Sequence, residues 1–288
     1  MQAANISFAS LGLVVLDEIR FPNRTPLTNI LGGSGTYAKD FKYTTPVLAV
    51  QENSLKHTNL LASRSFHYLA SPEDLHVRVS TLLALRAEAG IHERPLIIWE
   101  PAPLSCRPEN LEGCLEAATL VDVLSPNHLE LAKLFSEPQS DVIDKKKIEE
   151  LAVQCLNRGV GPDGNGTVIV RAGENGCFIS NRNISSTWLD PFYSTKPGEK
   201  PNEKIVDPTG AGNAFLGSYA VGYLKTGSVI KAACYGSVGA SFALEQVGVP
   251  LLSVQDNEES WNGVDVLSRL EEYMARQNCG REGVIRVL

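Results

Sequence analysis

The chain of 288 residues carries a formal net charge of −7 from 26 basic and 33 acidic side chains, with 43% hydrophobic and 20% charged residues. This balance supplies apolar surface for a core of one or two domains and excludes disordered, collagen-like and coiled-coil chains. The acidic excess argues against nucleic acid as a partner, since a phosphate backbone calls for a clustered basic face.

In chain order, the first apolar run covers residues 6–16. It is interrupted by Ser7, Ser10 and Gly12 and precedes the first basic residue, Arg20. It is far shorter than the roughly 18 residues of a membrane span and has no basic lead, so a buried strand is expected rather than an anchor or signal peptide. Residues 13–50 carry Val14, Val15, Ile19, Phe21, Phe41, Tyr43 and Val47 with no long amphipathic helix between them. A small β layer is expected there. Further strands are expected at 66–70, 96–99, 120–124 and 167–170. Between them, 72–89 places Leu75, Val79, Leu82, Leu83 and Leu85 at helical spacing, and 145–158 does the same with Ile148, Leu151, Ala152 and Leu156. Near-continuous apolar runs alternating with amphipathic helices predict an α/β chain whose parallel sheet is covered on both faces. The last third is expected as helices at 212–225, 229–246 and 264–277. No linker separates these elements, so 1–288 is taken as one domain.

The six cysteines, at 106, 114, 155, 177, 234 and 279, form no C-x-x-C pair, and the five histidines show no zinc-like spacing. Reduced, mostly buried thiols and a cytoplasmic location are expected. Asn-x-Ser/Thr sequons at Asn5, Asn23, Asn165 and Asn183 read as chance matches.

Chemistry concentrates in Asp207-Pro208-Thr209-Gly210-Ala211-Gly212-Asn213, followed by a small, apolar helix. Gly210 and Gly212 let backbone approach a ligand, and the helix start aims N–H groups and its positive dipole end at it, an arrangement that suits a phosphoryl group. The same residues also fit a helix start whose glycines serve packing alone. Three further segments accompany it: Gly32-Gly33-Ser34-Gly35 after the first strand, Asn127-His128-Leu129-Glu130 after Pro126, and Arg171-Ala172-Gly173-Glu174-Asn175-Gly176. A helix at 229–246 carries Gly236, Gly239, Ala240 and Ala243.

In this order, the segments resemble the motifs of the ribokinase-like (PfkB) family of carbohydrate and nucleoside kinases, closest to a fungal branch of it. The resemblance implies a three-layer α/β/α sandwich with a small β lid at about 13–50, ATP with magnesium, and phosphotransfer to a hydroxyl of a small sugar-like or nucleoside-like substrate. By the resemblance, Gly210, Ala211 and Gly212 form the anion hole. Arg171, Gly173, Gly176, Ser237 and Ser241 lie on the nucleotide side, and Asp17, Gly32 and Gly33 on the substrate side. Asn127 and Glu130 organise magnesium, although an N-cap with a capping-box Glu has nearly the same sequence. Asp207 lies beside the anion hole near a monovalent cation, or else satisfies loop N–H groups. Asp17 reads equally as solvated charge. Dimers pairing through the lid are a further implication.

Two departures accompany the resemblance. Asn213 stands where the family has its catalytic Asp, and an amide does not accept the substrate proton, so either a weakened kinase or a pseudokinase that binds nucleotide or metabolite and acts through a protein partner is expected. Thr36-Tyr37-Ala38 also runs almost directly into Lys39–Tyr43, which leaves too few residues for a usual crossover and predicts a truncated N-terminal half of the sheet.

Overall fold

The computed structural model describes residues 8–10, 13–21, 24–32, 41–43, 48–138, 142–194, 202–255 and 258–279, with backbone alone from 13 to 49. Val47, Gly33 and residues 34–37 lie outside the described residues.

The chain opens with β1 (Ala9–Ser10) and continues through β2 (Leu13–Phe21), β3 (Arg24–Gly32), β4 (Phe41–Tyr43) and β5 (Leu48–Ala49). These last four form their own antiparallel sheet, ordered β3-β2-β4 with β5 also paired to β2. Then come β6 (Ser65–Ala70), α1 (Pro72–Glu88), β7 (Leu96–Pro101), α2 (Leu111–Ala118), β8 (Val123–Leu124), α3 (His128–Leu134), α4 (Lys145–Arg158) and β9 (Thr167–Arg171). The hairpin β10 (Cys177–Asn181) and β11 (Ile184–Leu189) follows, then α5 (Ala211–Thr226) and α6 (Val229–Leu244). A three-stranded antiparallel sheet, β12 (Leu252–Gln255), β13 (Glu258–Trp261) and β14 (Val264–Asp265), precedes α7 (Val266–Arg276).

The central sheet has seven strands in the order β1-β6-β7-β8-β9-β10-β11. β1, β6, β7, β8 and β9 pair in parallel, and β10 and β11 turn antiparallel. Residue alternation shows why helices cover both faces. Ile97 and Trp99 enter one core with Leu75, Leu82 and Leu151, whereas Ile98 enters the other with Phe215, Leu216 and Tyr219. In β9, Val168 and Val170 again face the first core and Ile169 the second. Strands buried on both faces need apolar residues at every position, which is the pattern read in the sequence. The result is a three-layer α/β/α sandwich. Among the described residues no α-helix lies between β1 and β6, and the small antiparallel sheet with two single 3-10 turns takes that place.

Local signals set most helix starts. Ser71 accepts from Asp74 N at 3.1 Å with Pro72 in the first turn, and Asp144 accepts from Lys147 N at 3.1 Å. These satisfy N–H groups that a helix start leaves unpaired. Two expectations need correction. The strand expected at 120–124 shrinks to β8, because Leu120 N and Val121 N donate back to Ala117 and Ala118 carbonyls in the turn closing α2. The helix expected at 264–277 begins two residues later, since Val264–Asp265 is β14.

Candidate active site

The central parallel strands and the helices that follow them deliver the motif residues to one end of the sheet. β9 ends at Arg171, and the next turn brings Gly173 and Gly176 round to β10. Gly176 has φ +79°, and a Cβ there would fall 1.9 Å from the Leu189 carbonyl oxygen, so this turn requires glycine on two counts. Across from it, α5 begins at Gly210, whose φ of +82° turns the chain into the helix without any side-chain cap. Ala211 N donates to the Pro208 carbonyl at 3.2 Å.

Between these elements lies a cavity of about 360 Å³. Arg171, Gly173 and Gly176 line one side, Pro208, Ala211 and Gly212 another, and Ser237 and Ala240 of α6 a third. Pro191, Phe192, Ile205, Phe215 and Leu244 give it an apolar and aromatic wall, and His128 and Glu174 also reach its lining. A mostly apolar enclosure ending at an uncapped helix start combines a surface for a flat ring with a place for negative charge.

Arg171 is the charged centre. Its Nη2 donates to Glu100 Oε1 at 2.7 Å and to the Ser125 carbonyl at 3.0 Å, and it lies 3.8 Å from Glu130. A Cβ on Gly212 would fall 2.3 Å from Arg171 Nη1, so the guanidinium rests directly against the first turn of α5. Behind it, the other Glu100 oxygen is 3.4 Å from His67 Nε2, and Ser10 Oγ is 3.1 Å from His67 Nδ1. Burial pushes the Glu100 carboxyl up, but Arg171 and then His67 outweigh it and hold the group at about 2. Glu130 goes the other way: burial, opposed by Arg171 and reinforced by the Glu100 charge, pushes it to about 7.

The other expected residues divide. Asn127 Oδ1 accepts from Leu129 N and Glu130 N, each at 2.9 Å, and Glu130 Oε2 accepts from Asn127 N at 2.7 Å. That is a complete capping box, so this pair is bound first of all to its own helix. Asp207 Oδ1 accepts from Thr209 N at 3.0 Å, while its Oδ2 is buried with no hydrogen-bond partner among the described residues. An orphaned buried carboxylate oxygen beside the α5 start fits a cation. No group of three or more His, Cys, Asp or Glu side chains is placed to hold a metal among the described residues, so a magnesium ion here fits only with phosphate oxygens completing its shell. Asn213 is the third residue of α5, half-buried and outside the cavity lining.

Ser241 needs correction. It is fully buried, donates to the Val238 carbonyl at 2.6 Å and accepts from Arg269 Nη1 at 3.1 Å, which turns it from the cavity that Ser237 lines. The small residues of α6 also divide: Gly239 packs on Ser218 and Gly236 on the Phe215 ring, against α5. Asp17 and Gly32 sit on adjacent strands of the small sheet, opposite Ile30 and Val15 respectively. Gly33 lies outside the described residues.

Sequence reasoning missed His67, Glu100 and the Phe192 wall. A signal for the first two exists: each is a titratable residue within an otherwise apolar buried run, and Glu100 lies toward the carboxyl end of its strand, where open α/β sheets take ligands. The 191–193 wall lies in an irregular segment and carries no such mark.

The family profile described as pfkB family carbohydrate kinase matches residues 31–255. An uncharacterised protein of Schizosaccharomyces pombe is 32% identical over 241 residues, 81% of this chain and 65% of that protein. Protein MAK32 of Saccharomyces cerevisiae is 30% identical over 220 residues, 74% of this chain and 57% of that protein. The chain thus spans less than two thirds of the length of either relative. Among solved structures, Arabidopsis thaliana ribokinase complexed with ribose and ATP superposes with a TM-score of 0.56 at 14% identity, over 85% of this chain and 94% of that one. An Escherichia coli protein described as a ribokinase II, in complex with ATP and Mg2+, gives 0.58 at 16% identity, over 94% and 99%. At these identities the superpositions speak for the fold.

Proposed function

This chain belongs to the pfkB family of carbohydrate kinases, and on that premise we propose that it transfers the γ-phosphoryl group of ATP to a hydroxyl of a small sugar-like or nucleoside-like acceptor. The observation that carries this reading is convergence: the α5 start, the 171–176 turn and α6, far apart in sequence, line one cavity. In this reading the apolar wall around Phe192 takes the purine, with Ser237 beside it. The Gly173 and Gly176 backbone leaves room for the ribose and phosphates. The α5 start, with Gly210, Ala211 and Gly212, faces the transferred group, and Arg171 adds a fixed positive charge.

When bound, magnesium supplies charge neutralisation on the phosphates. Asp207, Glu130 and Asn127 are the residues that would hold it, with a monovalent cation near Asp207. The small antiparallel sheet serves as lid, bringing the strand positions of Asp17 and Gly32 to the acceptor and offering a surface for pairing two copies. Asn213 orients the acceptor hydroxyl by hydrogen bonding without taking its proton. Positioning and charge stabilisation then provide the acceleration, which a loose phosphoryl-transfer transition state allows at a reduced rate.

Asn213 also favours a second reading, in which the chain binds nucleotide and acts through a protein partner. ADP formation from ATP across a panel of sugars, polyols and nucleosides separates the two. One acceptor class that stimulates ADP release at least about tenfold over background supports the kinase, and background rates throughout, with nucleotide bound, support the binding protein.

A further inference from the structure

We propose that Cys279 and Cys234 are a peroxide-reactive thiol pair, in which Cys279 meets the oxidant and Cys234 closes a disulfide that ties the end of α7 to α6. Their sulfurs lie 3.7 Å apart, with the Cys234 thiol donating to Cys279. Cys234 is wholly buried, whereas Cys279 is half-buried and open to a small oxidant. The pair is chemically unequal. The hydrogen bond from Cys234, against burial and with help from Lys231, lowers the Cys279 thiol to about 7, and the same hydrogen bond and burial raise Cys234. Burial pushes Cys114, Cys155 and Cys177 to about 12 and raises Cys106 as well. Reactivity follows thiolate character and access, so of the six thiols Cys279 is the one poised to react, with a resolving thiol already in contact.

The step balances with hydrogen peroxide as oxidant. The Cys279 thiolate attacks one peroxide oxygen, the O–O bond breaks, and the departing hydroxide takes a proton to leave as water. Cys234 sulfur then attacks the sulfenic sulfur. The S–S bond forms, the S–O bond breaks, and the hydroxide leaves as water with the Cys234 proton. One peroxide and two thiols become one disulfide and two waters. A disulfide needs about 2.05 Å between sulfurs, so the remaining gap closes by rotation of Cys279 beyond the last turn of α7.

The bond would bear on the cavity, because the end of α7 holds one of its walls. Tyr273 Oη donates to the Asp190 carbonyl, Asp190 N donates to Gln277 Oε1 at 3.1 Å, and Arg276 donates to the Phe192 carbonyl at 3.1 and 3.2 Å. Residues 191–193 line the cavity on that side, and Ser237, one turn beyond Cys234 on α6, lines it on another. The disulfide therefore fixes two cavity walls to each other. This inference does not depend on which ligand the cavity takes.

The test treats the full chain with about one equivalent of hydrogen peroxide, blocks remaining thiols by alkylation, and maps the products by mass spectrometry. The expected result is a cross-linked peptide joining 234 and 279, lighter by two hydrogens, with the other four cysteines alkylated. Cys234→Ala is expected to leave a Cys279 sulfenic acid that dimedone traps, and Cys279→Ser, at the more exposed position, to stop oxidation while keeping the wild-type melting temperature. Amide exchange over 190–193 is expected to slow in the oxidised wild type and stay unchanged in Cys279→Ser after the same treatment. Six alkylated thiols after peroxide, or oxidation mapping to another cysteine, would overturn the pair. Unchanged exchange over 190–193 despite the cross-link would overturn its connection to the cavity.

Discussion

Helices α3 and α5 begin on either side of Arg171, and only the first of them closes its start with a side-chain cap. α3 closes its own start: Asn127 and Glu130 bond each other's backbone in a capping box, with all three contacts between 2.7 and 2.9 Å. α5 has no side-chain cap, because its N-cap residue is Gly210. Arg171 touches both, through an Asn127 backbone bridge on one side and the Gly212 contact on the other. The difference separates two jobs that look alike in sequence. A helix start closed by its own side chains holds structure together, whereas one without a side-chain cap, at the end of a cavity and beside a guanidinium, is where an anion gains most.

The comparison can be sharpened first at Asn213. If the open start is the transfer site, Asn213→Asp is expected to raise turnover with any accepted substrate by about 10²–10⁴-fold, the worth of a positioned base. Steady-state kinetics on both forms read this, and equal near-background rates with nucleotide bound would remove the kinase reading.

Glu100 holds the guanidinium between the two helices. Glu100→Gln removes one partner of a buried ion pair, so a loss of about 3–5 kcal/mol in urea unfolding at pH 7 is expected. The sign with pH follows from its lowered pKa. The Glu100 contribution is complete above its unfolded value of about 4.5 and is lost as pH falls toward the folded value of about 2. The gap between wild type and variant should therefore narrow below pH 4.5, and a gap that widens there would contradict the pairing.

Gly212→Ala tests the open start from within. Alanine favours a helix over glycine by about 1 kcal/mol, which offsets only part of what the substitution costs here. Its Cβ meets an Arg171 Nη1 that cannot swing aside while Nη2 is held by Glu100 and Ser125. Relieving that overlap displaces the guanidinium, so a lower melting temperature together with a fall of roughly 10²–10³-fold in turnover is expected, the latter the size of losing one oxyanion donor.

The smallest effect belongs to the closed start. Asn127→Ala is expected to cost about 0.5–2 kcal/mol of stability, the worth of a cap, measured by denaturant unfolding. A change in nucleotide affinity with no loss of stability would move Asn127 from cap to ligand site.

Much of the fold is legible in the amino-acid sequence, for a physical reason. Strands such as 96–101 and 167–171, buried on both faces, are apolar at nearly every position, and α4 matches its expected span of 145–158 because its periodicity and Asp144 cap agree. The β12–β14 sheet was missed although it carries its own mark. Asn262 and Gly263, at φ 50° and 74°, form the Asn-Gly turn of a two-residue hairpin, and the helical spacing that follows obscured it. The site was legible where a motif dictates backbone, as at Gly176 and Gly210–Gly212. It was not legible where long-range contact decides the role. Nothing local tells Ser237, on the cavity, from Ser241, one turn later and taken by Arg269. Nor does spacing reveal that His67, Glu100 and Arg171, from three different strands, form one chain of contacts.

In the proposed function, the uncapped α5 start, with Arg171 against it, receives the phosphate end of a nucleotide whose base lies along the Phe192 wall. Isothermal titration calorimetry of the full chain with ATP and magnesium, and separately with adenosine, tests this most directly. Measurable binding of both is expected, with ATP at least about tenfold tighter, because only ATP has phosphates to reach the uncapped helix start. No detectable heat at millimolar ATP, or equal affinity for ATP and adenosine, would contradict it.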